Sequence, residues 1–324
     1  MRARRAVRIA AFAIVALGLT GRAASAQEWP SRAVRLIVPF PPGGGADAIA
    51  RIVSGRLAEM WGQQLVIENR GGAGGNIAAE AAARAPPDGY TLFMAGDFQA
   101  TNIHLYPKLS YDPVADFTPV SLVVKFPVAF VVPNSSPATS VQAFIAHANA
   151  SGGKLTFASP GYGTSPHLAA ELFRRVAGID LTHVPYRGAA PALQDLVPGR
   201  VDSFFNNFAG VVPLMREGQL RVLAITSAER TPAAPDIPTV AETLPGFDVS
   251  GWYAFFAPAR TPPAIVRRMH ADTAAVLAEP GIRARLEQLG LIVVGSTPEQ
   301  LRAYLKTEMA KWGQVISEAG LKVE

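Results

Sequence analysis

Two short runs hold the residue types that could do chemistry: "PFPPGGGAD", Pro39 to Asp47, and "SPGYGTSPH", Ser159 to His167. Each follows an apolar, β-branched run and precedes a helical pattern, so each reads as the turn between a strand and a helix. In the first, Phe40 offers an apolar wall. Gly44, Gly45 and Ala46 open a helix whose first-turn N–H groups have no internal partners. Glycine lets the backbone approach a ligand closely, and the helix dipole favours an anion at that spot. Asp47 falls in the same turn, where an acid complements the dipole as a cap; turned toward the ligand it would repel an anion. In the second run Gly161, Tyr162 and Gly163 make the turn, and Thr164 and Ser165 add hydroxyls. Ser165-Pro166 reads as an N-cap followed by Pro at the first helical position. His167 could hydrogen-bond a carboxylate beside those hydroxyls, or be an ordinary first-turn imidazole. A tight turn and a cap would account for each loop singly; their occurrence at the same edge of two α/β units favours a site.

Other candidates are more open. Tyr186 and Arg187 precede a helix start in "HVPYRGAAPALQDL". Arg187 could clamp a distal carboxylate bidentately or bridge surface acids. Asn206 and Asn207 end the strand "FFNN" with amides suited to neutral polar groups. Trp252 and Tyr253 lie on an apolar strand and read as core or hinge.

The missing motifs exclude several chemistries. Neither loop carries G-K-[ST] or a complete GxGxxG, and no G-x-S-x-G elbow occurs. The five histidines, His104, His147, His167, His183 and His270, show no metal-ligand spacing, and cysteine is absent. No cofactor and no metal are expected. The enzyme alternative is a hydrolase using Ser165, His167 and a remote acid.

The elements that would position these loops alternate short apolar strands with amphipathic helices, the pattern of an α/β protein. Ala46 to Trp61 places Ile49, Ile52, Val53, Leu57, Met60 and Trp61 on one helical face. Near the C-terminus Leu301, Tyr304, Leu305, Met309, Trp312, Val315 and Ile316 do the same. Two long apolar segments, Ser121–Pro133 and Val249–Ala259, flank the middle block and are long enough to run from one domain into another. The expectation is a first domain of residues 27–127 and 249–324, and a second of residues 128–248. Two strand crossovers between them would make a hinge and a cleft that closes on a ligand.

Residues 1–26 read as a signal peptide: a basic start "MRARRAVR", an apolar run "IAAFAIVALGL", and "ASA" before cleavage after Ala26. The formal charge of +5 comes from this segment, which holds five arginines and no acid. Without it 25 basic residues face 25 acidic ones, so the basic balance gives no argument for nucleic acid. A periplasmic, soluble monomer is expected. Its remaining length, about 298 residues, suffices for a core without disulfides.

In collinear order, "WPSRAVRLIVPFPPGGGADAIARIV", "VIENRGGAGGNIAAEAAARAPPDGYTL", "LSYDPVADFTPVSLV", "ASPGYGTSPHLAAELF", "VPYRGAAPALQDLVPGRVD" and "LAITSAERTPAAPDIPTVAET" resemble successive blocks of the Bug/TctC family. These are extracytoplasmic receptors of tripartite tricarboxylate transporters. The resemblance implies a two-lobed, type II periplasmic-binding-protein fold, membrane transporter subunits as partners, and a small carboxylate ligand. In the family such ligands are dicarboxylates, tricarboxylates, acidic amino acids or aromatic acids. It carries the carboxylate site onto Phe40, Gly44, Gly45, Ala46, Gly161, Thr164 and Ser165, with His167 adjacent. Where the family commonly reads F-D-N, this chain has Phe205-Asn206-Asn207, which implies a ligand without an ammonium group. A receptor that signals to a membrane kinase is the alternative.

Overall fold

The apolar runs form strands and the amphipathic runs form helices in the expected alternation. The computed structural model describes residues 29–318 and 320–322; the expected signal peptide and its cleavage site lie outside them. The chain starts with β1 (Val34–Val38), α1 (Gly45–Trp61), β2 (Leu65–Asn69), α2 (Asn76–Ala83), β3 (Thr91–Gly96) and α3 (Phe98–Leu105). The 17-residue β4 (Phe117–Pro133) then leads into α4 (Val141–Ala150), β5 (Thr156–Ser159), α5 (Ser165–Val176) and β6 (Thr182–Pro185). Next come α6 (Ala189–Leu196), β7 (Ser203–Asn207), α7 (Val212–Arg216) and β8 (Leu220–Ile225). The chain returns through β9 (Ser250–Pro258), α8 (Pro263–Ala278), α9 (Pro280–Glu287), β10 (Ile292–Val293) and α10 (Pro298–Glu318).

The strands follow the order β2-β1-β3-β9-β4-β7-β5-β6, with β8 and β10 also paired to β4. One strand carries the sheet from one half to the other. Through Pro127, β4 pairs antiparallel with β9; from Val128 onward it pairs with β7 and β8. Its length follows from its composition, because nearly every residue from Phe117 to Pro133 is buried on one half or the other. The second crossing falls at the start of the expected Val249–Ala259 segment. β9 stays wholly in the first half, paired to β3 and β4. The passage is made just before it, where the Val249 N–H donates to Thr226 O at 2.8 Å and Thr226 Oγ1 donates to Val249 O at 2.6 Å.

The expected helix stripes are core. Ile49, Val53, Leu57 and Trp61 of α1 and Leu301, Leu305, Trp312 and Ile316 of α10 are buried, and their remaining stripe partners pack against them. In the second half Phe130 stacks on Phe205 at 4.5 Å, with Phe173 tilted against both. The helix α3 has no apolar stripe in its sequence, for a physical reason. Phe98 to Asn102 and Leu105 are all buried, and the polar members are bonded internally: Gln99 Nε2 donates to Pro113 O and Asn102 Nδ2 to Asn76 Oδ1. With polar residues buried beside apolar ones, and the apolar Ile103 exposed, no amphipathic periodicity shows. Among the described residues no helix is long and apolar enough to cross a membrane.

Candidate functional site

The carboxyl ends of β1 and β5 release their chains into loops that meet across the two halves, where open α/β sheets place ligands. Between them is a cavity with ≈ 440 Å³ of empty space, open solvent included. The first loop contributes Phe40, Gly44, Gly45 and Ala46, and the second Pro160, Thr164 and Pro166. Asn206 and Asn207 enter from the end of β7, Phe126 and Tyr253 from β4 and β9, and Gly96, Asp97 and Phe98 from the β3–α3 junction.

Helix start α1 is built to offer bare donors. Its first internal bond runs from Ala48 N–H to Gly44 O at 3.0 Å, so the N–H groups of Gly45 and Ala46 precede the ladder. Asp47 is turned away from the cavity. Its Oδ2 accepts Gly43 N–H at 3.2 Å and Arg51 Nε at 2.8 Å, and its Oδ1 accepts Asn69 Nδ2 at 3.2 Å. Burial opposes the Asp47 charge, yet the bonds from Arg51, Gly43 and Asn69 hold its pKa below the usual carboxylate range. This is the capping role expected of it. Gly45 is required by close approach: a Cβ there would lie 2.9 Å from Asn207 Nδ2 and 3.3 Å from Gly210 N.

The second loop is held by its own polar groups. Thr164 Oγ1 accepts the His167 N–H at 3.4 Å and donates to Gly161 O at 2.7 Å. Gly163 N–H donates to His167 Nδ1 at 3.3 Å, and its carbonyl accepts the Thr101 hydroxyl from α3 of the first half. The Tyr162 carbonyl packs on Gly74, again across the halves, where a positive φ of 58° and the absence of a side chain permit the contact.

Of the expected residues, Phe40, Gly44, Gly45, Ala46, Thr164 and Asn206 line the cavity. Gly161, Tyr162, Gly163, Ser165, His167, Tyr186 and Arg187 stand behind or beside it. The His167 ring packs into the second half, stacked on His183 at 4.5 Å and met edge-on by Tyr162 at 5.2 Å. Tyr186 Oη donates to Asp195 Oδ2 at 2.8 Å, which takes the phenol away from the cavity. Arg187 is exposed on the loop between β6 and α6. The Ser165 hydroxyl is buried and makes no hydrogen bond to His167, so the Ser165–His167 pair that a hydrolase would need is not formed.

The fold brings His167, Glu171 and His183 together, with one potential ligand atom each within 4.8 Å of the others. Sequence spacing alone does not reveal this cluster. Its geometry suits packing better than metal binding. The rings stack at 28°, so their in-plane lone pairs do not converge, Ser159 Oγ engages His183 Nε2 at 2.7 Å, and Arg174 Nε holds Glu171 at 2.6 Å. Burial, then the neighbouring charges, keep both imidazoles neutral: the His167 pKa falls well below its usual value and that of His183 to about 4.

Asn207, named with Asn206 in the sequence, lines the wall beside it. Other residues of the lining escaped sequence reasoning or were read differently. Tyr253, read as core or hinge, faces the cavity while stacking on Phe126 at 4.9 Å. Asp97 is 4 % exposed, and burial above all raises its pKa to about 7. The available signal was its place directly after the strand "TLFMAG", at a carboxyl strand end.

A sheet in two halves joined by crossing strands, with donor-rich helix starts facing an interlobe cavity, defines a two-lobed periplasmic solute-binding protein. The family profile described as "Tripartite tricarboxylate transporter family receptor" matches residues 49–321, and the chain belongs to that family. It is 40% identical over 309 residues to the "UPF0065 protein in tcbD-tcbE intergenic region" of Pseudomonas sp. strain P51, covering 94% of this chain and 92% of the relative. Among solved structures it is similar to R. palustris Rpa4515 with adipate, with TM-score 0.89, 38% identity, and coverage of 91% of this chain and 100% of that one. It is also similar to MatC (Rpa3494) from Rhodopseudomonas palustris with bound malate, with TM-score 0.84, 36% identity, and coverage of 89% and 100%.

Proposed function

We propose that this receptor captures a small carboxylate, a di- or tricarboxylate or an aromatic acid without an ammonium group, and delivers it to membrane transporter subunits. The observation that carries the reading is the pairing of the Gly45 and Ala46 N–H groups with a cavity whose side-chain amides, Asn206 and Asn207, have Nδ2 atoms without partners. Such donors are satisfied by an acid group. The adipate and malate bound by the two similar structures support the same ligand class. Residues 1–26 would direct export and be removed after Ala26. Residues 27–127 with 249–324, and residues 128–248, would be the lobes that close on the ligand. Three or four charge-assisted hydrogen bonds, at roughly 1.5–3 kcal/mol each, suffice for the ~8 kcal/mol of a micromolar complex. No catalytic group is required.

The test is a thermal-shift screen followed by calorimetry with adipate, succinate, malate, benzoate, L-aspartate and L-glutamate, and with dimethyl adipate as the control lacking acid groups. An acid at ~100 times its Kd should stabilise the protein by about 2.7 kcal/mol, and the ester should not. Stabilisation by the ester but by no acid would overturn the reading. Tighter binding of aspartate or glutamate than of succinate would overturn the absence of an ammonium group.

A further inference from the structure

Asp97 is out of keeping with the rest of the cavity. The other polar groups of the lining are suited to an anion: the N–H groups at the start of α1, the Asn206 and Asn207 amides, and the hydroxyl-bearing loop at Thr164. Asp97 places a carboxyl among them, at the junction of β3 and α3. Its Oδ1 accepts the Trp252 N–H at 3.1 Å from β9, which fixes its position. The groups that face it carry no positive charge. Ser165 at the start of α5 supplies a hydroxyl and an N–H, Tyr253 on β9 and Tyr304 on α10 are neutral phenols, and Glu308 on α10 is a second acid. The Lys125 ammonium sits over the Tyr304 ring, 4.4 Å from its centroid. An ionised Asp97 beside a bound carboxylate would set two like charges together in a cavity that excludes most water, an arrangement that favours one shared proton.

We propose that Asp97 is a specificity-determining residue that stays protonated when a dicarboxylate is bound and donates a hydrogen bond to one of its acid groups. This rests on the reading of the cavity as a carboxylate site. Burial already brings the free Asp97 pKa to about 7, so the ligand's charge has only to push it further. Above that pH, binding must draw one proton from solution. Affinity then falls about tenfold per pH unit. Asn at this position keeps the size and a donor but cannot ionise, and should remove the pH dependence.

The experiment is calorimetry of the mature protein with adipate near pH 8 and near pH 6, in pairs of buffers of unlike ionisation enthalpy. The wild type should take up close to one proton per adipate at the higher pH and close to none at the lower. The D97N variant, checked for folding by its melting curve, should bind adipate with similar affinity at both and take up none. Adipate binding without proton uptake in the wild type would overturn the proposal, and so would undiminished uptake by D97N, which would place the proton on the ligand. Loss of adipate binding in folded D97N, with preference of the wild type for L-glutamate, would show an ionised Asp97 serving an ammonium group. Failure of every carboxylate to bind either protein would remove the underlying carboxylate reading as well.

Discussion

Gly45 and Asn207 sit on opposite lobes, and a Cβ on Gly45 would stand 2.9 Å from the Asn207 amide nitrogen. The start of α1 and the end of β7 thus meet at a spacing that only hydrogen allows. Gly45 itself has no need of unusual backbone angles, so Gly45→Ala should leave each lobe intact while holding the lobes apart. We expect the melting temperature without ligand to change by no more than a few degrees, and carboxylate affinity to fall at least tenfold by calorimetry. Unchanged affinity would mean that Asn207 yields and that this contact does not limit closure.

Asp47 acts on the same loop from behind. It is only 4 % exposed and takes bonds from Gly43, Arg51 and Asn69, so its charge is committed to loop geometry. Asp47→Ala removes the bonds from Gly43, Arg51 and Asn69, while Asn69 keeps its bond to the Phe40 carbonyl, at a cost of about 1 kcal/mol. Urea titration should show that loss, and adipate should bind several-fold more weakly because its donors are less well ordered. A rise in affinity at unchanged stability would instead identify Asp47 as a charge that repels the ligand.

Both loops were legible because proline, glycine and hydroxyl residues between a strand pattern and a helix pattern have few other uses. The alternation of elements and the long β4 were legible for the same kind of reason: apolar periodicity reports which face is buried. What the sequence hid lies where polar residues are buried beside apolar ones. The helix α3 shows no stripe, so Asp97 at its start could not be placed. Tyr253 alternates with core residues on β9, and only the tertiary packing decides that it faces the cavity. His167 was ambiguous from its first-turn position, and its partner His183 comes from a different strand. No local pattern connects the two.

Away from the cavity, Trp61 of α1 donates its indole N–H to Asp272 Oδ2 of α8 at 2.7 Å in a buried contact, and Arg268 Nε reaches the same oxygen at 2.6 Å. This bond ties the first α/β unit to the returning C-terminal segment. Asp272→Ala leaves the buried indole N–H unpaired and should cost about 1–3 kcal/mol. Differential scanning calorimetry should show a lower melting temperature, with ligand affinity unaltered at temperatures where the protein is folded. A changed affinity would show that this contact also sets the relation of the lobes.

The His167–His183 stack should make stability depend on acidity. In the folded chain His183 is held to a pKa of about 4, against 6.5 for an unperturbed imidazole. Between those values the unfolded chain binds a proton that the folded chain refuses. Stability therefore rises with pH across this window and is lost as pH falls through it. The full shift is worth up to about 3 kcal/mol below pH 4, and about 2 kcal/mol of it should already be gone at pH 5. His167, also pushed below its usual value, adds in the same direction. Asp97 has the opposite sign: its raised pKa means that the folded chain keeps a proton which the unfolded chain releases, so it lowers stability as pH rises from about 4 toward 7. The wild-type curve sums these effects, and comparison with His183→Asn separates them. Urea midpoints measured at pH 7.5 and pH 5 should converge, the wild type losing more than the variant on acidification. Equal losses in the two proteins would mean that His183 takes up its proton without leaving the stack, and the buried imidazoles would then have no part in acid sensitivity.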